Sequence, residues 1–172
     1  TLASMNNLAM LLEAKGLHDE AMPLCFATFK LRKALQLEGD TSARLLEMLD
    51  TGFNFAQLLL ENGTYEEAVL LFRRIYDVRS CKLGSIHPST LKSVEALSNC
   101  LRLMGKYDEA GDIAREAFDM CKIKLGKDHA DTLAIQGQLA QLLFEKGDDM
   151  EAADLLIAAH AARTEMLGED HP

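Results

Sequence analysis

The chain has 172 residues, 48% hydrophobic and 26% charged, which is the composition of a folded protein with a core rather than of a disordered one. A formal net charge of −9 and a pI near 5.0 repel phosphate backbones and argue against nucleic-acid binding. No apolar run approaches the roughly 20 residues of a membrane-spanning helix, and no signal-like segment opens the chain.

In chain order, residues 2–15 form the first predicted helix. Met5, Leu8, Ala9 and Leu12 stand at i, i+3, i+4 and i+7, the apolar stripe of an amphipathic helix. Gly16 should end it as a left-handed cap, and a second helix is expected over 18–38. Gly39, followed by Asp40, Thr41 and Ser42, makes a stop and a new N-cap before a third helix at 42–61. After Gly63, "TYEE" reads as a capping box, with Thr64 accepting from Glu67 and Glu67 reaching back; it opens a helix at 65–82. That helix places Ala68, Phe72, Ile75 and Tyr76 on one face. "LGSIHPSTL" (83–91) then stops the chain at Gly84 and restarts it at Pro88, which suits a first helical turn. The fifth helix, 88–104, carries Val94, Leu97, Ser98 and Leu101. The sixth, 107–124, carries Ala110, Ala114, Ala117 and Phe118. "LGKDHADTL" (125–133) repeats the stop, and helices are expected at 130–145 and 149–167, the latter behind a second capping box of Asp148 and Glu151. The chain ends on "LGEDHP".

Leu83, Leu125 and Leu167 are 42 residues apart, and Gly16, Gly63, Gly105 and Gly147 are separated by 47, 42 and 42. A Glu-Ala pair follows each of these glycines, at Glu20-Ala21, Glu67-Ala68, Glu109-Ala110 and Glu151-Ala152. Such a period is the mark of an all-α solenoid, here a single array of four helix-turn-helix units at about 1–40, 41–87, 88–129 and 130–172. Small residues recur where helices should cross: Ala9, Ala56, Ser98 and Ala140 in the first helices, and Ala21, Ala68, Ala110 and Ala152 in the second. The five extra residues of the first interval should lengthen the flanking helices by about a turn. His87, His129 and His171 come once per unit, too far apart to share a metal, and are assigned to the structure of the joint. Cys25, Cys81, Cys100 and Cys121 show no C-x-x-C pairing and read as small hydrophobes of a reducing, cytoplasmic compartment.

The Leu-Gly-x-x-His-Pro joint, "NNLAMLL" (6–12), the mid-unit glycine, the Glu-Ala pair and "EAMPLC" (20–25) together resemble tetratricopeptide repeats of the kinesin light chain type. The resemblance covers all four units and implies a right-handed superhelix whose first helices line a concave, peptide-holding groove. Carried onto this sequence, it puts Asn6, Met10 and Glu13 in the groove from the first unit, and Asp50, Phe53, Gln57 and Leu60 from the second. Lys92, Glu95, Asn99 and Arg102 follow from the third, and Gly137, Gln141, Phe144 and Glu145 from the fourth. The amides would bond a peptide backbone, Phe53, Leu60 and Phe144 would form apolar pockets, and Lys92 with Arg102 would make a local basic spot.

No phosphate-cradling glycine loop, nucleophile elbow or His-Glu-x-x-His motif is present, so no enzyme, cofactor or metal site is expected. The expected role is a protein-interaction scaffold; the alternatives are a regulatory repeat arm of a nucleotide-driven protein and an architectural subunit. Because the last helix, "MEAADLLIAAHAARTEML", would leave part of its apolar face uncovered and His171-Pro172 should open a fifth unit, neighbouring repeats or a capping partner are expected at that end, and the chain reads as a segment of a longer one.

Overall fold

A computed structural model describes residues 1–36 and 42–167, which form eight α-helices and no strand. They are α1 (Leu2–Ala14), α2 (His18–Gln36), α3 (Ser42–Glu61), α4 (Tyr65–Leu83), α5 (Pro88–Leu103), α6 (Tyr107–Lys124), α7 (Ala130–Lys146) and α8 (Asp149–Leu167). Apart from the end of α2, every boundary lies within a residue of the one read from the apolar stripes and glycines. The proposed stop at Gly39, the caps at Asp40 and Thr41, and the signal at Gly168, His171 and Pro172 fall outside the described residues.

Two compact bodies divide the chain, Thr1–Asp77 and Val78–Pro172. In the first, α1 packs on α2 and α3, and α2 on α3. In the second, α5 packs on α6 and α7, α6 on α7, and α7 on α8. Helix α3 has 20 residues against 16 in α5 and 17 in α7, so the longer first interval is taken up in part as an extra turn of helix.

Every first helix ends on the same device. Gly16, Gly63, Gly105 and Gly147 have φ of 73°, 78°, 72° and 96°, a left-handed conformation that a Cβ would strain. That turn aims the next N–H back five residues: Leu17 to Leu12, Thr64 to Leu59 and Lys106 to Leu101 at 2.9 Å, and Asp148 to Leu143 at 2.8 Å. The helix end is thereby closed inside the repeat.

The residues of the two expected capping boxes make other bonds. The Thr64 hydroxyl donates to the Leu59 carbonyl at 2.9 Å, sealing the helix behind it instead of capping the one ahead. Glu151 reaches Arg115 at 2.6 Å and Asp148 reaches Lys146 at 3.0 Å, so both carboxylates are engaged in ion pairs.

The histidines of the joints do have a structural task, and the structure names the atom. His87 and His129 occupy the N-cap positions of α5 and α7 in extended conformation, φ near −65° and ψ near 140°. Each accepts at Nδ1, 3.2 Å from the backbone N of Ser89 and Asp131 respectively. Pro88 fills the first helical position, where no N–H is needed.

The alanine and serine columns are buried throughout, as helix crossings require. Phe72, Leu58, Ile75, Leu97, Leu101 and Leu139 supply the bulk of the fully buried volume. Cys25, Cys100 and Cys121 are buried and Cys81 is exposed. The outermost helices break the pattern. Leu8 is 50% exposed while its counterparts Leu97 and Leu139 are at 0%, and Leu156 is 53% exposed while Phe72 and Ala114 are at 0%.

Candidate functional site

In the repeat register the first-helix positions form columns. Met10, Gln57, Asn99 and Gln141 share one, and Glu13, Leu60, Arg102 and Phe144 another, each spaced by 47, 42 and 42 residues. Three members of the first column are amides.

In the first body, the column positions of α1 and α3 divide between surface and core. Asn6 is half-buried; its Nδ2 lies 3.9 Å from the Met10 sulfur, while its Oδ1 accepts no hydrogen bond among the described residues. Met10 and Asp50 are exposed, and Gln57 and Leu60 half-buried. The Phe53 ring meets the fully buried Phe72 edge-on, 5.3 Å between centroids at 64°, so its position is fixed by the core beneath it. Glu13 is half-buried, and burial first, then the charge of Glu61, raises its carboxyl above the ordinary range. His18 Nδ1 lies 3.2 Å from Glu61 Oε2. Burial, and secondarily Glu13, push the Cys25 thiol up to about 11, so at neutral pH it is a protonated core residue and not a nucleophile.

The second body gathers its positions into one network across α5 and α7. Arg102 donates from Nε and Nη2 to Asn99 Oδ1, at 3.2 and 2.9 Å, and from Nη1 to both oxygens of Glu145, at 3.2 and 3.1 Å. Gln141 Nε2 donates to Glu145 Oε1 at 3.0 Å. The Gln141 bond first, then Arg102, hold the Glu145 carboxyl below its usual range. Asn99 and Arg102 are half-buried; Lys92 is exposed, as is Phe144 at 66%. The guanidinium expected to serve as a free basic spot is therefore neutralised, and Lys92 is the cation of that set with no ion pair among the described residues.

A second bridge reinforces the first: Gln138 Nε2 donates to the Glu95 carbonyl at 3.0 Å. Both bridges join residues 43 apart, one repeat plus one. That spacing was present in the sequence as a pairing signal, and the column assignment alone did not use it.

No group of three or more potential metal ligands occurs among the described residues, and no described helix is long and apolar enough to cross a membrane.

Tetratricopeptide repeat family models match residues 1–36 and 89–165. A search of curated protein sequences gives no match. Among solved structures, a putative kinesin light chain from Podosopora anserina with nearly identical TPR-like repeats is 27% identical in a singly substituted form, with a TM-score of 0.85 over 96% of this chain and 76% of the other. The form without that substitution gives 26% identity and 0.85 over 98% and 77%. BtubC (BKLC) from P. vanneervenii, at 15% identity, shares the fold with a TM-score of 0.76 over 98% of this chain and 64% of its own. With these matches beside the 42-residue period and the glycine-closed helix hairpins, the chain belongs to the tetratricopeptide repeat family, with repeats of the kinesin light chain type.

Proposed function

We propose that this chain is a protein-interaction scaffold whose first-helix faces take up a segment, extended or helical, of another protein. The observation that carries the reading is the α5–α7 network. Asn99 spends its oxygen on Arg102 and keeps its NH2 group; Gln141 spends its NH2 group on Glu145 and keeps its oxygen. One donor and one acceptor thus remain on adjacent first helices, the complement of a peptide unit's C=O and N–H. Phe144 beside Glu145 offers an apolar contact; in the first body Leu60 holds the corresponding place, and Phe53 stands seven residues before it on α3.

The net charge of −9 favours a partner segment with basic residues by steering its encounter. An acidic residue aimed at Arg102 would have to displace Glu145 first. The exposed Leu8 and Leu156 are where a neighbouring repeat or a capping partner would pack.

A displayed random-peptide library selected on the chain, followed by calorimetric titration of the selected peptides, tests the proposal. Phe144→Ala and Asn99→Ala should weaken binding, the aromatic truncation by about 2 kcal/mol if it is an anchor. Ile123→Ala, at an exposed position of the second helix α6, should not. Peptides that lose affinity with Ile123→Ala and ignore both first-helix changes would overturn the groove reading.

A further inference from the structure

The four glycine turns are alike in conformation but differ in what precedes the glycine. Lys15, Met104 and Lys146 stand before Gly16, Gly105 and Gly147, whereas Asn62 stands before Gly63. Asn62 is also the one asparagine in the sequence with glycine after it. Asn6, Asn7, Asn54 and Asn99 lie inside helices and precede Asn7, Leu8, Phe55 and Cys100. Asn62 is exposed, and a Cβ on Gly63 would meet nothing within 4 Å, so the space around the dipeptide is open.

That pairing has a chemistry of its own. The side-chain amide carbon of an asparagine is one ring closure away from the nitrogen of the next residue, and glycine has no side chain to obstruct the five-membered ring. The Gly63 nitrogen gives its proton to solvent and attacks Asn62 Cγ. A bond forms between them, the Cγ–Nδ2 bond breaks, and Nδ2 takes a proton from water and leaves as ammonia. Water then opens the cyclic imide at one of its two carbonyls. Opening at Cγ gives aspartate. Opening at the main-chain carbonyl gives isoaspartate, whose backbone runs through the β-carbon and is longer by one methylene.

The fold holds this reaction back. The Gly63 N–H is donated to the Leu60 carbonyl at 3.1 Å, and the Asn62 N–H to the Leu58 carbonyl at 3.0 Å. Thr64 is tied twice to the Leu59 carbonyl, through its backbone N–H and its hydroxyl, both at 2.9 Å. The Gly63 nitrogen is free to attack only in the fraction of molecules whose turn has opened.

We propose that Asn62-Gly63 is a site of spontaneous deamidation and isomerisation, gated by opening of the turn that closes α3. The product places a negative charge next to Glu61, itself 3.2 Å from His18, just past the C-terminal end of a helix, where the helix dipole disfavours it. The isoaspartate form also inserts its methylene ahead of the Thr64 N–H, the group that closes the turn on Leu59. The change needs water and no enzyme, so the first body is altered with the age of the molecule.

The test is a timed incubation of the folded chain at mildly alkaline pH, read by peptide mapping in a mass spectrometer and by isoaspartyl methyltransferase labelling. The mass gain of replacing NH2 by OH should appear first in the peptide containing Asn62, with isoaspartate as the larger product, and Asn62→Gln should remove it. Thr64→Val deletes the hydroxyl bond at little change of shape and should speed the reaction about fivefold, the weight of one neutral hydrogen bond. Thr64→Ser should keep the parent rate. The blocked peptide of residues 61–66, which has no turn to open, should react at least about tenfold faster than the folded chain, and decides the gating if Thr64→Val fails to fold. An intact Asn62 after the free peptide has fully reacted, or earlier loss of the amide at another asparagine, would overturn the site. Equal rates in the peptide and the folded chain, or in a folded Thr64→Val variant and the parent, would overturn the gate.

Discussion

Replacing His129 by alanine removes the side-chain acceptor at the N-terminus of α7. The bond is of ordinary length, 3.2 Å, and the side chain is 44% exposed, so water competes for the freed N–H and the loss should be that of a common N-cap, about 1 kcal/mol. For a chain of this size that lowers the thermal midpoint by roughly 2–4 °C. Asparagine also offers an acceptor at the N-cap, so His129→Asn should recover most of the difference. His87 holds the same place on α5 with the same 3.2 Å bond, and the two sites share no partner. Their effects should add, to about 2 kcal/mol in the double alanine variant. Circular-dichroism melts of the two single alanine variants, the asparagine variant and the double variant provide the measurement. An asparagine variant that melts with the alanine variant, or a double variant no less stable than either single, would refute the capping role.

Other substitutions test other parts of the argument. Ala110→Leu forces three carbons into a fully buried crossing and should cost about 1–3 kcal/mol by overpacking, whereas the exposed Ala158→Leu should be nearly neutral; equal melting points would mean that Ala110 is not at a crossing. Gly105→Ala and Gly111→Ala should have opposite signs. A Cβ would meet no atom within 4 Å at either site, but Gly105 has φ of +72° and should lose about 1 kcal/mol or more, while Gly111, within α6, should gain about 0.5–1 kcal/mol, as chemical denaturation would show. Glu13 has a raised folded-state pKa, so its contribution falls as pH rises from about 4.5 through the folded value. Glu13→Gln should therefore stabilise the chain at neutral pH and make no difference well below pH 4; a lower melting point at neutral pH would contradict this. Glu145 has the opposite sign, and its contribution is present above 4.5 and lost as pH falls through its lowered value, so an acid titration of Glu145→Gln should show a smaller loss than the parent chain.

The helices were legible because each carries its apolar residues at helical spacing between glycines that stop it. Buried columns followed directly, since one 42-residue register assigns Ala56, Ser98 and Ala140 to the same environment. What escaped was choice of partner. The Thr64 hydroxyl can donate or accept, and only the position of the Leu59 carbonyl decides which. Arg102 looked like a free cation because Glu145 stands 43 residues away, and a column drawn at 42 misses the neighbour one step along.

The closed ends of α1, α3, α5 and α7 have a consequence for the history of such a chain. Each glycine turn is satisfied by a carbonyl five residues back in its own helix, and each histidine cap by an amide two residues ahead. A copy of one unit inserted at a joint therefore arrives with its own termini closed, and needs only a neighbour with alanine or serine at the crossing. Length can change by duplication or deletion of whole units at little cost in stability, while selection acts on the few outward positions, such as Asn99 or Ala158, that make one unit different from the next.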